Sequence, residues 1–508
     1  SSAASDVYKR QGLNLYNMED IMSNLCLSCS HYNKTLCTCS AGKSMFEAST
    51  TGVCTAYLTK KYRYTFKRDV YTRLEEAIAA NEVTFVLGPR KSGKTVCLHQ
   101  YEHEHNNVVY VDIKKQKDRK VIVQQIKSKI LNNIDEVILV DECTYFDSPA
   151  EDIQDIITCF DEIASVTKVV FSGSQSVALE VWANRSFAGN TGIVRIDFLS
   201  YAEWLRYKSL AVSEDSYLDF IMHVDSFYDF KSCEAYLRGC LNETVISNSK
   251  SLDIIPHNEC DLLTADILML LLYAIMFSKH NHTAYACFSD ANRLNIDVSR
   301  NTDTDLSSKI QDLFSKLELN YSLFTTLQAA TIRQAIVFLY KCGLIQVTKV
   351  VSSLDDYTDP MAEFFYDYNP LNKNTLFKDY NFTIRHPMFY IAVIKSLDLP
   401  EEIVVEDRGL LGSLVEYHIK GLLSDRFCIE YHDEYDNEID CIDLKRRLAI
   451  ESTVSDKHSV KALFDFKEPG FHKILTTRTK ETPLEDIERI PYYKLLYSLS
   501  AGSSVLGD

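Results

Sequence analysis

The chain has 508 residues and a formal net charge of −17 at pH 7, too long for one hydrophobic core and too acidic to coat nucleic acid over its whole surface, although a local basic groove stays compatible with it. Hydrophobic residues make up 46% and charged residues 25%, the balance of ordinary globular material. The longest apolar run, Ile267 to Phe277 (ILMLLLYAIMF), has 11 residues, too short to span a bilayer, so a buried helix and no membrane partner are expected.

In chain order, residues 1–11 (SSAASDVYKRQ) read as a translated sequencing adapter and are set aside as a non-native leader. Residues 12–60 form a Cys-rich segment in which Cys26, Cys29, Cys37 and Cys39 fall within fourteen residues, with His31 between them and Cys54 beyond. Thiolates at this spacing can close a tetrahedral Zn²⁺ site, which would let a segment with few large apolar residues fold. The alternative is reduced thiols without metal. With no secretory signal and no secreted-scaffold pattern among the 15 Cys, a cytoplasmic location is expected.

An amphipathic helix over about 69–80 leads into an apolar run and then VLGPRKSGKT, residues 86–95. Gly88, Pro89, Arg90, Lys91, Ser92, Gly93, Lys94 and Thr95 complete a G-x-x-x-x-G-K-[ST] pattern between a strand-like and a helix-like stretch. Backbone N–H groups of such a loop, with the positive end of the helix, make a concave site for a polyphosphate such as that of ATP. Lys94 is expected on the β- and γ-phosphates and the Thr95 hydroxyl on Mg²⁺. NVVYVDI, DEVILVDE, KVVFSGSQS and GIVRIDFLS then alternate with helical stretches, the pattern of a parallel α/β sheet. Apolar VILV followed by Asp141 and Glu142 has the form of a Walker B strand: Asp141 for Mg²⁺, Glu142 as catalytic base for the attacking water. Ser172, Ser174 and Gln175 stand at a strand end where a polar group can sense the γ-phosphate; a plain turn is the alternative there.

Through FKRDVYTRLEEAI, VLGPRKSGKT, VILVDE, FSGSQS and RSFAGNTGIVRIDFLSYAEWL, the stretch from Tyr64 to about Leu205 resembles the prokaryotic AAA-type ATPases that carry a C-terminal domain of unknown function, often a restriction-endonuclease-like module. The resemblance implies an ATPase domain over residues 61–205. Where that family commonly has Arg after Ala-Gly, this chain has Asn190, which leaves Arg185 or Arg195 as substitutes for an arginine finger or as ordinary structural arginines.

Residues 206–305 read as a helical lid or connector, and 306–400 as a winged-helix-like region centred on Leu327 to Val351. There Ile332, Ala335, Ile336 and Leu339 share a helix face, Gly343 ends the helix, and LIQVTKVV alternates like a wing strand. Arg333, Gln334 and Lys341 are the polar groups it offers to DNA; packing or protein contact is the equal alternative.

In residues 401–508, Glu416 on a helix, Asp440 in a strand and Glu451 at a strand end resemble the metal-binding acids of a restriction-endonuclease-like fold, with Mg²⁺ activating water. That pattern requires Lys two residues after Glu451, where this chain has Thr453, so a non-cutting module is expected unless Lys457 or Lys473 takes the place. The fold class read from these features is α/β: a P-loop NTPase sheet, a helical and winged-helix region, then an α/β restriction-endonuclease-like domain. The function expected is ATP hydrolysis coupled to that module, with two alternatives: a nucleotide-dependent switch recruiting a protein or nucleic-acid partner, and an ATP-gated DNA nuclease in defence against mobile DNA. A homo-oligomer is compatible with each.

Overall fold

The computed structural model describes residues 66–173, 179, 191–228, 230–246, 264–277, 335–336, 338–340, 342–358, 380–423, 427–432 and 437–502, together with a two-residue ladder pairing Tyr32–Asn33 with Thr38–Cys39. Cys39 lies in that ladder; Cys26, Cys29 and Cys37, and with them the expected zinc site, lie outside the described residues.

The first unit is a five-stranded parallel sheet. Helix α1 (Val70–Ala80) buries Val70, Tyr71, Leu74 and Ile78, one stripe at helical spacing. Strand β1 (Val83–Leu87), helix α2 (Lys94–Glu104), β2 (Val108–Asp112), α3 (Arg119–Leu131), β3 (Val137–Asp141), α4 (Pro149–Glu162), β4 (Lys168–Ser172) and β5 (Thr191–Arg195) follow. The sheet order is β2-β3-β4-β1-β5, every pair parallel. Val86, Leu139 and Val170 pack on one face with α1 and α2, while Phe85, Val140 and Phe171 pack on the other with α3 and α4. This two-sided burial is why VILV reads as unbroken apolar sequence.

Helices α5 (Tyr201–Lys208), α6 (Glu214–Phe227), α7 (Cys233–Ile246) and α8 (Ala265–Phe277) come next. Among the described residues no helix is long and apolar enough to cross a membrane; α8 instead buries Leu268, Leu271 and Leu272.

The second sheet contains β6 (Ile345–Val351), β7 (Tyr380–Ile384), β8 (Cys428–His432), β9 (Glu438–Asp443), β10 (Leu448–Glu451), β11 (His472–Thr477) and β12 (Ile487–Pro491), with helices α9 (Pro387–Lys395), α10 (Arg408–Leu422), α11 (Lys461–Asp465) and α12 (Tyr492–Ala501). Its order is β12-β11-β10-β9-β8-β6-β7. β8–β9 and β9–β10 are antiparallel, whereas β10–β11, β11–β12 and β8–β6 are parallel.

The stretch read as a wing strand is β6, and here the expectation is corrected. It is an interior strand of the second sheet, parallel to β8 and antiparallel to β7. Six of its seven residues are buried, including Gln346, Thr348 and Lys349, so its alternating polar positions face protein and not solvent. The preceding turn follows the expectation: Gly343 takes φ 76° and Leu344 donates its N–H to the Leu339 carbonyl at 3.1 Å, a glycine-terminated helix end. One apolar core runs from Trp204 and Phe220 through Leu271 and Phe389 to Leu414 and Leu495. The helical connector and the second sheet are thereby packed together.

Candidate nucleotide site and acidic cluster

The loop between β1 and α2 turns on two glycines. Gly88 has φ 147°, and a Cβ there would lie 2.0 Å from the Ile196 carbonyl oxygen, so a side chain is excluded. Gly93, at φ 101°, is the N-cap of α2, whose first backbone N–H groups have no helical partner and favour an anion. The Lys94 side chain is buried, and its Nζ donates to the carbonyls of Gly88 and Pro89, each at 2.7 Å. Thr95 Oγ1 donates to Asp141 Oδ2 at 2.7 Å. Asp141 Oδ1 accepts the N–H of Glu142 at 3.0 Å. Glu142 itself adopts φ 52°, a left-handed conformation that costs a non-glycine residue about 1 kcal/mol or more and tends to occur at functional sites.

Ser172 ends β4 one strand away, in register with Val86. Ser172 and Ser92 each bury a hydroxyl oxygen that lacks a hydrogen-bond partner among the described residues. Orphaned hydroxyls, a lysine on loop carbonyls and a hydroxyl–carboxylate pair suit a polyphosphate with Mg²⁺. Ser174, Gln175 and Arg185 lie outside the described residues; Arg195 is exposed, opposite Leu87 on β5.

Four supports of this site were not read from the sequence. Arg68, before α1, forms a fork with Glu203 at 2.7 and 2.8 Å and donates to the carbonyls of Ser92 and Phe198, both at 3.0 Å. Burial opposes the charge of Glu203, yet Arg68 and the backbone N–H groups of Ser200 and Asp69 hold its carboxyl below the usual range. Arg90 donates to the Gly239 carbonyl at 3.0 Å, and Tyr236 on α7 donates to the Cys342 carbonyl at 2.8 Å and the Arg90 carbonyl at 3.3 Å. Pro89 lies so close to Gly343 that a Cβ there would come within 2.6 Å of its ring. Finally, Tyr110 on β2 donates its hydroxyl to Asp141 Oδ2 at 2.8 Å.

The second group lies on α10 and the sheet beside it. Glu416 and Glu451 are brought near enough to Asp440 and to each other to feel their charges. Burial, partly offset by Lys420 and reinforced by Asp440 and Glu438, pushes Glu416 up to about 8. Burial followed by Asp440, Glu438 and Glu416 pushes Glu451 up to about 10. Glu451 Oε1 meets His458 Nε2 at 3.0 Å, and its buried Oε2 has no partner among the described residues. Asp440 Oδ2 accepts from the Ser452 N–H at 2.6 Å and hydroxyl at 2.7 Å.

The structure adds Glu430, His432, Glu438 and Lys420 to this cluster. Lys420 and Glu430 have fully buried side chains, and Lys420 Nζ lies 2.6 Å from Glu416 Oε1 and 2.9 Å from Glu430 Oε2. Glu430 also accepts from Asn381 at 2.7 Å and meets His432 Nε2 at 2.9 Å. Ligand atoms of Glu430, His432 and Glu438 all lie within 4.8 Å of one another. Thr453, by contrast, is spent on the local fold: its hydroxyl accepts from the Ser455 N–H at 3.0 Å and its carbonyl from Thr476 Oγ1 at 2.7 Å. Neither expected replacement enters, since Lys473 pairs with Asp486 at 2.8 Å and Lys457 is exposed. The signal for Lys420 was present as Glu-x-x-x-Lys, two residues one turn apart on a helix face.

Residues 80–205 match the family described as an AAA domain. No curated protein matches the chain. A Walker-type ATPase of Pyrococcus abyssi is similar at 13% identity and a TM-score of 0.30, over 66% of this chain and 97% of its own. The Thermotoga maritima RuvB Holliday junction branch migration motor is similar at 14% identity and a TM-score of 0.24, over 59% of this chain and 95% of its own. A replication initiator DnaA bound to AMPPCP and single-stranded DNA is similar at 12% identity and a TM-score of 0.23, over 53% of this chain and 93% of its own. The family match and the five-stranded parallel sheet make residues 80–205 an AAA-type P-loop domain.

Proposed function

Starting from that AAA-type domain, we propose that the protein binds ATP with Mg²⁺, hydrolyses it, and passes the nucleotide state to its C-terminal sheet. The observation that carries the reading is the meeting of Lys94, Thr95 and Asp141 around one glycine-framed loop. Mg²⁺, held by Thr95 and Asp141, would supply charge against that developing on the phosphates. Lys94 would leave the Gly88 and Pro89 carbonyls for phosphate oxygens, and Glu142 would orient and deprotonate the attacking water. Transmission is supported by the loop's own contacts. Pro89 and Arg90 touch Gly343, Gly239 and Tyr236, and Gly343 leads directly into β6. Glu142→Gln is expected to retain ATP binding and lose turnover by about 10²-fold or more, the scale of a positioned base. Unchanged phosphate release by that variant removes Glu142 from the chemistry.

Lys420 favours a second reading for the C-terminal half: hydrolysis of a phosphodiester in nucleic acid, with a divalent cation held by the acidic cluster. The order α10-β8-β9-β10-α11-β11 and the positions of Glu416, Asp440 and Glu451 support the likeness expected from sequence. The Lys420 amine offers the cation that Thr453 lacks. With a divalent cation on these acids and the Lys420 amine beside them, cutting of linear duplex DNA with Mg²⁺ or Mn²⁺ is expected and should vanish in Lys420→Met. A folded wild type that does not cut returns this module to the non-cutting role expected from Thr453. In that case its partner, protein or nucleic acid, is bound and not cleaved.

A further inference from the structure

Asp141 is held from two sides. Thr95 reaches its Oδ2 from α2 at 2.7 Å, and Tyr110 reaches the same oxygen from β2 at 2.8 Å. The Thr95 contact comes with the loop pattern itself; the Tyr110 contact does not. β2 pairs with β3 in parallel, placing Asp112 beside Asp141 and Tyr110 beside Leu139. The phenol therefore reaches along the sheet from two residues below. Its ring is fixed from above by His99, one helical turn after Thr95, with ring centroids 4.1 Å apart. His99 is in turn held by Glu102, Nδ1 to Oε2 at 3.1 Å.

We propose that Tyr110 is a positioning residue for magnesium: its hydroxyl holds the Asp141 carboxylate in the rotamer that receives the nucleotide's metal ion. The inference rests on the ATPase reading above. A carboxylate at a strand end with one hydroxyl partner can rotate about its last bond. A second donor on the same oxygen, from a rigid aromatic side chain in the neighbouring strand, fixes that rotation and leaves Oδ1 on the Glu142 N–H. In this contact the phenol O–H is the donor and the Asp141 carboxylate oxygen the acceptor. Hydrogen bonds to an ionised partner are the strong ones, and removing one here should appear in metal affinity.

The test is Tyr110→Phe, which keeps the ring against His99 and removes only the hydroxyl. The Mg²⁺ concentration for half-maximal ATP hydrolysis should rise about tenfold, in keeping with loss of a hydrogen bond to a charged group, while ATP binding in EDTA stays at the wild-type value. The same substitution made in an Asp141→Asn background should change metal dependence little, because the bond it removes has already lost its ionised acceptor. A wild-type Mg²⁺ requirement in Tyr110→Phe overturns the proposal and leaves the tyrosine as packing, even if the melting temperature falls. A wild type that hydrolyses ATP without Mg²⁺ overturns it as well. A wild type that does not bind ATP defeats the ATPase reading itself, a result distinct from either.

Discussion

Lys94→Ala is expected to abolish ATP binding, raising the dissociation constant at least about 10²-fold, since two charge-assisted contacts to phosphate are lost at once. The basis is the position of the amine: buried, on the carbonyls of Gly88 and Pro89, each at 2.7 Å. Those acceptors keep the charge satisfied in a buried loop whose backbone would cradle the phosphates. Calorimetric titration with ATP and Mg²⁺ measures the effect, and circular dichroism shows that the variant is folded. Wild-type affinity in the folded variant would remove the phosphate-binding assignment of this loop, and with it the readings of Glu142 and Tyr110.

Arg68→Ala should produce the largest loss of stability, about 3–5 kcal/mol, the scale seen when one partner of a buried ion pair is removed. Arg68 and Glu203 have side chains only 9% and 4% exposed, so the variant leaves an uncompensated carboxylate in the interior. The pH dependence gives the check. In the wild type Glu203 has a lowered pKa, so its stabilising contribution is present at neutral pH and lost only as pH falls through that lowered value. In Arg68→Ala its folded pKa should instead rise above the unfolded value, so the variant weakens further as pH increases above that value. The gap between the two melting temperatures is therefore expected to widen from pH 5 to pH 8. A gap that stays constant or narrows would mean that the fork does not carry the effect.

The first sheet was legible because its signals are local. VILV, VTFVL and KVVFS are short apolar runs between helices, and the phosphate-loop and Walker B patterns occur where such strands end. β6 was not legible for the opposite reason. Its partner β8 begins at Cys428, and a polar residue such as Gln346 reads as solvent-facing until its bond to the Lys420 carbonyl is seen. The acids Glu416, Asp440 and Glu451 were singled out in the sequence by a resemblance to a known fold and not by any local pattern of their own. Glu430 and Lys420 were missed because their burial depends on each other: neither charge is tolerable alone in that interior, and sequence shows only two ordinary surface residues. Tyr110 and Arg68 were hidden likewise, as a strand aromatic and a loop arginine whose partners lie 31 and 135 residues away.

The Arg68–Glu203 fork has a consequence for inheritance. The segment that matches the AAA family model begins at residue 80, yet the arginine that grips the Ser92 carbonyl stands twelve positions earlier and its acid stands near the far border of that match. From the opposite side, Gly239 and Tyr236 brace the loop from a helix beyond that stretch. A recombination event that exchanged only the recognisable segment between two such proteins would therefore deliver a phosphate loop without its braces. Successful shuffling would have to carry the chain from Arg68 through at least α7, so the heritable unit of this domain is longer than its motif-bearing portion.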